Sequence, residues 1–233
     1  MRHIVFVFLA LAVTGWASLA GAQGPPPGPP PPEVSHCWGI GGVTWQMLDQ
    51  GFTGEGTVGT SYEPGRVGAW AEADVSYSVG EKYCEATVNA YGLIPIAKAN
   101  DRCPDLEVLS SAQGGAHWGI SLQITDAPGG ECWADSDLRS HLVAPGEESQ
   151  GTRLYAPDVP RQTLIGPGLQ LGPFDDETWS LSATSTFSGN GNVKLYLFVA
   201  SYAYAKNPDG GTTVVHAEAN TWDWANAFSV TGQ

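Results

Sequence analysis

TWSLSATSTFSGNGNVKLYLFVASYAYAKNPDGGTTVVHAEANTWDWANAFSV, residues 178–230, is the one long stretch whose side chains alternate without interruption. In its first run Trp179, Leu181, Ala183 and Phe187 fall on one face, and Thr178, Ser180, Ser182, Thr184 and Thr186 on the other. That is the period of a strand with one buried and one wet side. After Ser188-Gly189-Asn190-Gly191-Asn192, the run from Val193 to Tyr204 is apolar on both faces and suits the middle of a sheet. Lys206-Asn207-Pro208-Asp209-Gly210-Gly211 turns the chain again, and the region from Thr212 to Val230 supplies one bent strand or two short ones. The three runs read as an antiparallel meander.

Working outward, Val67, Ala69, Ala71, Ala73, Val75, Tyr77 and Val79 alternate with Trp70, Glu72, Asp74, Ser76 and Ser78. This predicts a strand over 67–79, turned by Gly80-Glu81-Lys82 into a hairpin with Tyr83 to Tyr91. Pro95 ends or kinks that pairing, because it has no amide to donate. Residues 97–113 read as a loop pinned by Cys103, and His117 to Thr125 as a strand. Gly and Pro crowd the span from Asp126 to Phe174, which leaves short strands around 138–143, 152–155 and 162–165. Asp135-Ser136-Asp137 and Asp175-Asp176-Glu177 read there as solvated acidic loops. Ser35 to Gly59 reads as irregular wrapping with a short strand, and no segment has a helical period. About nine strands with frequent turns predict an all-β fold, an antiparallel β-sandwich of jelly-roll type, with a disordered or extended N-terminal segment.

Arg2, the apolar run from Ile4 to Val13 and the small residues before Gln23 have the layout of a secretory signal peptide over residues 1–22. Gly24 to Pro32 reads GPPPGPPPP, so residues 23–34 form a Pro/Gly-rich spacer biased to polyproline II, and 35–233 a single domain. No run approaches a membrane span. The whole chain carries a formal charge of −14, and loss of the leader removes only Arg2 among its charged residues. With no basic cluster, a nucleic-acid partner is excluded. A secreted or periplasmic location is expected. Four cysteines on an exported chain then predict two disulfides, and the repeated Cys-Trp dipeptides at 37–38 and 132–133 favour Cys37 with Cys132 and Cys84 with Cys103.

For chemistry the sequence offers little catalytic signal. There is no Gly-x-Ser-x-Gly, no His-Glu-x-x-His and no Cys-x-x-Cys, so neither a catalytic set, a cofactor nor a metal site is assigned. His216 and Glu218 share a strand face, as a polar face commonly does. The richer signal is aromatic. Tyr196, Phe198, Tyr202 and Tyr204 lie on one side of a strand whose other side is aliphatic, and that side must be covered by a loop, a neighbour or a ligand. Trp70, Glu72, Asp74, Tyr196, Tyr202 and Tyr204 are therefore the candidate ligand-binding residues. The expected role is non-enzymatic binding of an extracellular polymer such as carbohydrate. The alternative is a self-associating structural or surface-layer subunit that meets another copy of the chain, and a secreted glycoside hydrolase ranks last.

Overall fold

The computed structural model describes residues 37–144 and 153–232; the leader and the spacer expected over residues 1–34 lie outside them. Twelve strands and no helix make up the described chain: β1 (Trp38–Ile40), β2 (Thr44–Gly54), β3 (Thr57–Glu63), β4 (Arg66–Asp74), β5 (Gly80–Lys98), β6 (Leu106–Thr125), β7 (Glu131–Val143), β8 (Arg153–Tyr155), β9 (Gln162–Ile165), β10 (Gly168–Phe187), β11 (Gly191–Asn207) and β12 (Val214–Gly232). Among the described residues no helix is long and apolar enough to cross a membrane. The larger sheet runs β1-β5-β11-β7-β8, with β2 also on β5 and β9 also on β7; the smaller runs β10-β6-β12-β4-β3. All pairs are antiparallel.

The pairings nest. β4 pairs with β12, β5 with β11, β6 with β10, and β7 with β8 and β9, like one long hairpin. Rolled up, that ribbon brings β12 against β6 and β11 against β7, and this is the jelly roll expected from the sequence. The meander expected over 178–230 is not what forms, because β10 and β12 lie in the smaller sheet while β11 lies in the larger. Residues 188–190 cross between layers that stand about 10 Å apart, a gap that three residues can bridge. The expected hairpin at 80–82 fails in the same way. β4 ends at Asp74, Tyr77 takes φ 62°, and β5 begins in the opposite sheet. Tyr77 and Val79, expected on one face with Val67 to Val75, are both 69% exposed, whereas Val75 is buried. β6 starts at Leu106 within the stretch expected as loop, β5 runs on through Pro95, and the two acidic triplets belong to β7 and β10.

Burial within each strand follows the alternation. Trp179, Leu181, Ala183 and Phe187 are buried, with Ser185 between the last two also turned inward, while Thr178, Ser180, Ser182, Thr184 and Thr186 are exposed, and β11 is the central strand of the larger sheet. One half of the interior is built from large aliphatics such as Val88, Leu138, Leu195 and Leu197. The other is built largely from alanines, with Ala71, Ala73, Ala203, Ala205, Ala217 and Ala219 beside Ile120 and Leu122. Asn207 is buried at the end of β11, where its amide donates to Val75 O (3.0 Å) and Thr213 Oγ1 (2.6 Å) and its carbonyl accepts from the amides of Asp209 and Gly210. The β11–β12 turn is thereby tied to the end of β4.

Neither expected pairing forms; among the described residues there is one disulfide, and it joins Cys37 to Cys103 across a sequence separation of 66. Cys84 lies near the start of β5 and Cys103 beyond its far end, some 45 Å of strand away. Cys37 instead reaches Cys103 because Ala99 donates its amide to Cys37 O at 2.8 Å as β1 adds to the end of β5. On the loop-entropy model this closure is worth about 4 kcal/mol. Cys84 and Cys132 are free and buried, on strands that β11 separates. Burial raises both thiols, Cys132 to about 12.

A polar belt crosses the interior. Thr221 of β12 meets the hydroxyls of Ser136 (β7) and Ser201 (β11), each at 2.8 Å, and Ser201 also donates to Ala69 O. Beside it Asp223, fully buried, accepts from Ser140 Oγ (2.7 Å) and Trp179 Nε1 (2.9 Å). Burial pushes its carboxyl up to about 7, against the opposing pull of those hydrogen bonds. Between pH 4 and 7 the folded state then holds a proton that the unfolded chain has released, so this group's contribution to stability falls as pH rises and levels off above 7. Replacing it by a neutral isostere, Asp223→Asn, is expected to remove that loss. The stability of the variant relative to the wild type, measured by urea unfolding, should rise by on the order of 4 kcal/mol between pH 4 and pH 8. A difference independent of pH would contradict the assignment.

Candidate functional site

The six sequence-derived residues divide between the two outer surfaces of the sandwich. Trp70, Glu72 and Asp74 project from β4 on the smaller sheet, and Tyr196, Tyr202 and Tyr204 project from β11 on the larger. The two surfaces treat their aromatic rings differently.

On the smaller sheet the rings lie over glycines directly across the strand pair. Trp70 faces Gly59, Trp222 faces Gly68, Trp224 faces Gly115 and Phe174 faces Gly119. A methyl group at Gly59 would stand 1.9 Å from the Trp70 ring, and one at Gly68 would stand 2.4 Å from Trp222, so only glycine leaves the slot open. These indoles use one face on their own sheet, and Arg66 stacks over Trp222 at 4.6 Å.

On the larger sheet the rings meet one another in rows that follow the register. Tyr83, Tyr204 and Trp133 stand side by side on β5, β11 and β7, with Trp133 stacked on Tyr204 at 5.6 Å and tilted against Tyr83 at 5.9 Å. Farther along, Tyr91, Tyr196 and His141 form a second row at 5.8 and 6.1 Å. Between them lie the rows Glu85-Tyr202-Asp135 and Asn89-Phe198-Arg139. Tyr83 is 36% exposed, and the other rings of these rows are half-buried. Neither a second layer of protein nor full solvent covers them.

Polar groups are interleaved with the rings. Asp137 accepts from Nε and Nη2 of Arg139 at 3.2 and 2.7 Å, and that guanidinium lies 5.7 Å from the Phe198 ring. Arg161 pairs with Asp135 at 3.3 Å and stacks over Trp133 at 4.0 Å. Tyr83 Oη donates to Glu85 Oε2 at 3.0 Å, and Tyr91 Oη to Gln46 Oε1 at 2.7 Å. Burial raises the Tyr202 phenol, as do the carboxylates of Glu85, Asp137 and Asp135 around it; burial and the bond to Glu85 push Tyr83 up to about 12. Burial also lowers His141, so its ring is neutral over a wider pH range.

Residues 157–161 stand as a wall at the β7 side, where they enclose a groove of about 450 Å³ with Tyr202, Tyr83, Trp133, Asp137 and Arg139 on its floor. A second hollow of about 280 Å³ lies between Tyr196, Phe198, His141 and Leu154, and Arg139 borders both. The two carboxylates of the β7 side are already paired with guanidiniums, so they are better placed to orient a ligand than to deliver a proton.

Trp133, Tyr83, Tyr91, Phe198, Arg139 and Arg161 complete the surface beyond the residues chosen from sequence. A usable signal lies in residues 131–143, where Trp133, Asp135, Asp137, Arg139 and His141 alternate with Cys132, Ala134, Ser136, Leu138, Ser140 and Leu142. The inward serines weaken that pattern. No family model, curated protein or solved structure matches the chain significantly.

Proposed function

We propose that the protein binds an extracellular polysaccharide without cleaving it, along the outer face of the larger sheet. The observation that carries this reading is the aromatic rows, half-exposed on a rigid sheet and interleaved with carboxylate and guanidinium groups. Between Tyr196 and Tyr204 the strip extends on the order of 26 Å along β11, room for an extended polymer. Apolar faces of sugar rings pack on aromatic rings, while hydroxyls hydrogen-bond to fixed polar groups such as the Asp137–Arg139 pair. A charge of −14 repels polyanions, so the reading is confined to neutral polymers. The signal-like N-terminus and the Cys37–Cys103 disulfide support a secreted or periplasmic protein. Trp70, Glu72 and Asp74, on the opposite face, are not part of this surface.

Retention on a panel of neutral polysaccharides, both soluble in affinity gels and insoluble in depletion assays, tests the proposal. At least one polymer should be retained. Tyr202→Ala and Trp133→Ala should each weaken that retention about tenfold or more, and Trp222→Ala, on the other sheet, should leave it unchanged. Retention of nothing on the panel, or variants at Tyr202 and Trp133 that bind like the wild type, would contradict it.

Self-association is the second reading, and a different surface favours it. The edge strand β10 and the adjoining end of β9 carry Ile165, Leu169, Leu171 and Phe174 at 74%, 64%, 62% and 61% exposure. Unpaired edge groups beside exposed apolar side chains invite a second copy. On this reading the sedimentation coefficient rises with concentration and Leu171→Lys abolishes the rise; a monomer at all concentrations removes it.

A further inference from the structure

Across the sandwich from the aromatic rows, β4 and β12 set four titratable side chains next to one another. Asp74 lies directly opposite His216, and Glu72 directly opposite Glu218. His216 Nδ1 stands 3.7 Å from Glu72 Oε1 and 3.9 Å from Asp74 Oδ2, while its Nε2 stands 4.0 Å from Glu218 Oε2. Like charges at directly opposed positions repel. The flanking strands bring no cation to offset this: Thr57 of β3 faces Glu72, and Gln123 and Ser121 of β6 face His216 and Glu218. Three carboxylates around one imidazole lack a positive centre.

We propose that Glu72, Asp74 and His216 bind a divalent transition-metal ion, Zn²⁺ by preference, with Glu218 orienting the imidazole. One imidazole nitrogen and two carboxylate oxygens form a donor set suited to such ions, and all three donor atoms lie within 4.8 Å of one another. Donors about 2.1 Å from a tetrahedral ion stand about 3.4 Å apart, so the observed 3.7 and 3.9 Å need to close by only a few tenths of an ångström. A metal-binding histidine characteristically directs its other nitrogen at a carboxylate, which is the place Glu218 occupies behind Nε2. The ligand side chains are partly exposed, and three protein donors leave a coordination position open to water or to an oxygen of a ligand. Ca²⁺ is the poorer fit, because it takes six to eight oxygens and no imidazole. The site is independent of the polysaccharide surface.

The protein, stripped of metal by a chelator and dialysed, is titrated with Zn²⁺, Mn²⁺ and Ca²⁺ by calorimetry at neutral pH. One Zn²⁺ per chain is expected. Affinity should fall at least a hundredfold in His216→Ala, in His216→Gln and in the Glu72→Gln/Asp74→Asn double variant, and about tenfold in Glu218→Gln, all with the wild-type β spectrum in circular dichroism. No saturable binding of Zn²⁺ or Mn²⁺, binding of Ca²⁺ alone, or Zn²⁺ binding undiminished in the His216 and double variants would overturn the proposal.

Discussion

Every long strand of this sandwich hydrogen-bonds to partners far away in sequence, because each connection between consecutive long strands passes from one sheet to the other. β4 and β12 pair although seven strands lie between them in the chain. Backbone groups inside a sheet must be paired, and β11 finds its partners in β5 and β7. The same arrangement fixes which side chains can meet. Neighbours in sequence separate, and residues from β5, β11 and β7 come to share one surface.

That surface differs from its counterpart by a packing choice. On the smaller sheet, glycines opposite Trp70, Trp222 and Trp224 let each indole lie flat against the backbone of the neighbouring strand. On the larger sheet, the positions facing Tyr196, Tyr202 and Tyr204 carry Tyr91 and His141, Glu85 and Asp135, and Tyr83 and Trp133, so no slot is available and the rings stand in rows. Rings held by neighbouring rings, with their polar groups fixed by Arg139 and Arg161, are preorganised for a flat amphipathic ligand. The polar belt of Ser136, Ser201, Thr221 and Asp223 lies beneath the same strands and keys the two sheets together where an all-apolar interior would permit sliding.

The sequence revealed sides more readily than partners. Period-two alternation placed Trp179, Leu181 and Val199 inside and Thr184 outside, since burial acts on each strand by itself. Pairing depends on connections, and a three-residue link such as 188–190 serves a hairpin and a sheet crossing equally well. For that reason neither the meander nor the hairpin at 80–82 forms, and Trp70 lies on the other side of the molecule from Tyr196, Tyr202 and Tyr204. β7 was read short because Ser136 and Ser140 face inward, where Thr221 and Asp223 give them partners and make a polar residue acceptable in the core. Cysteine parity suggested two bridges, yet β11 stands between Cys84 and Cys132, and strand length keeps Cys84 from Cys103.

The central claim is that the outer face of the larger sheet is the ligand surface, and hydroxyl-radical footprinting with mass spectrometry tests it most directly. With a retained neutral polysaccharide present, oxidation of Tyr83, Trp133, Tyr196, Tyr202 and Tyr204 should fall several-fold while Trp70 and Trp222 keep their free rates. Protection centred on Trp70 and Trp222, or on no aromatic residue of the larger sheet, would contradict the account.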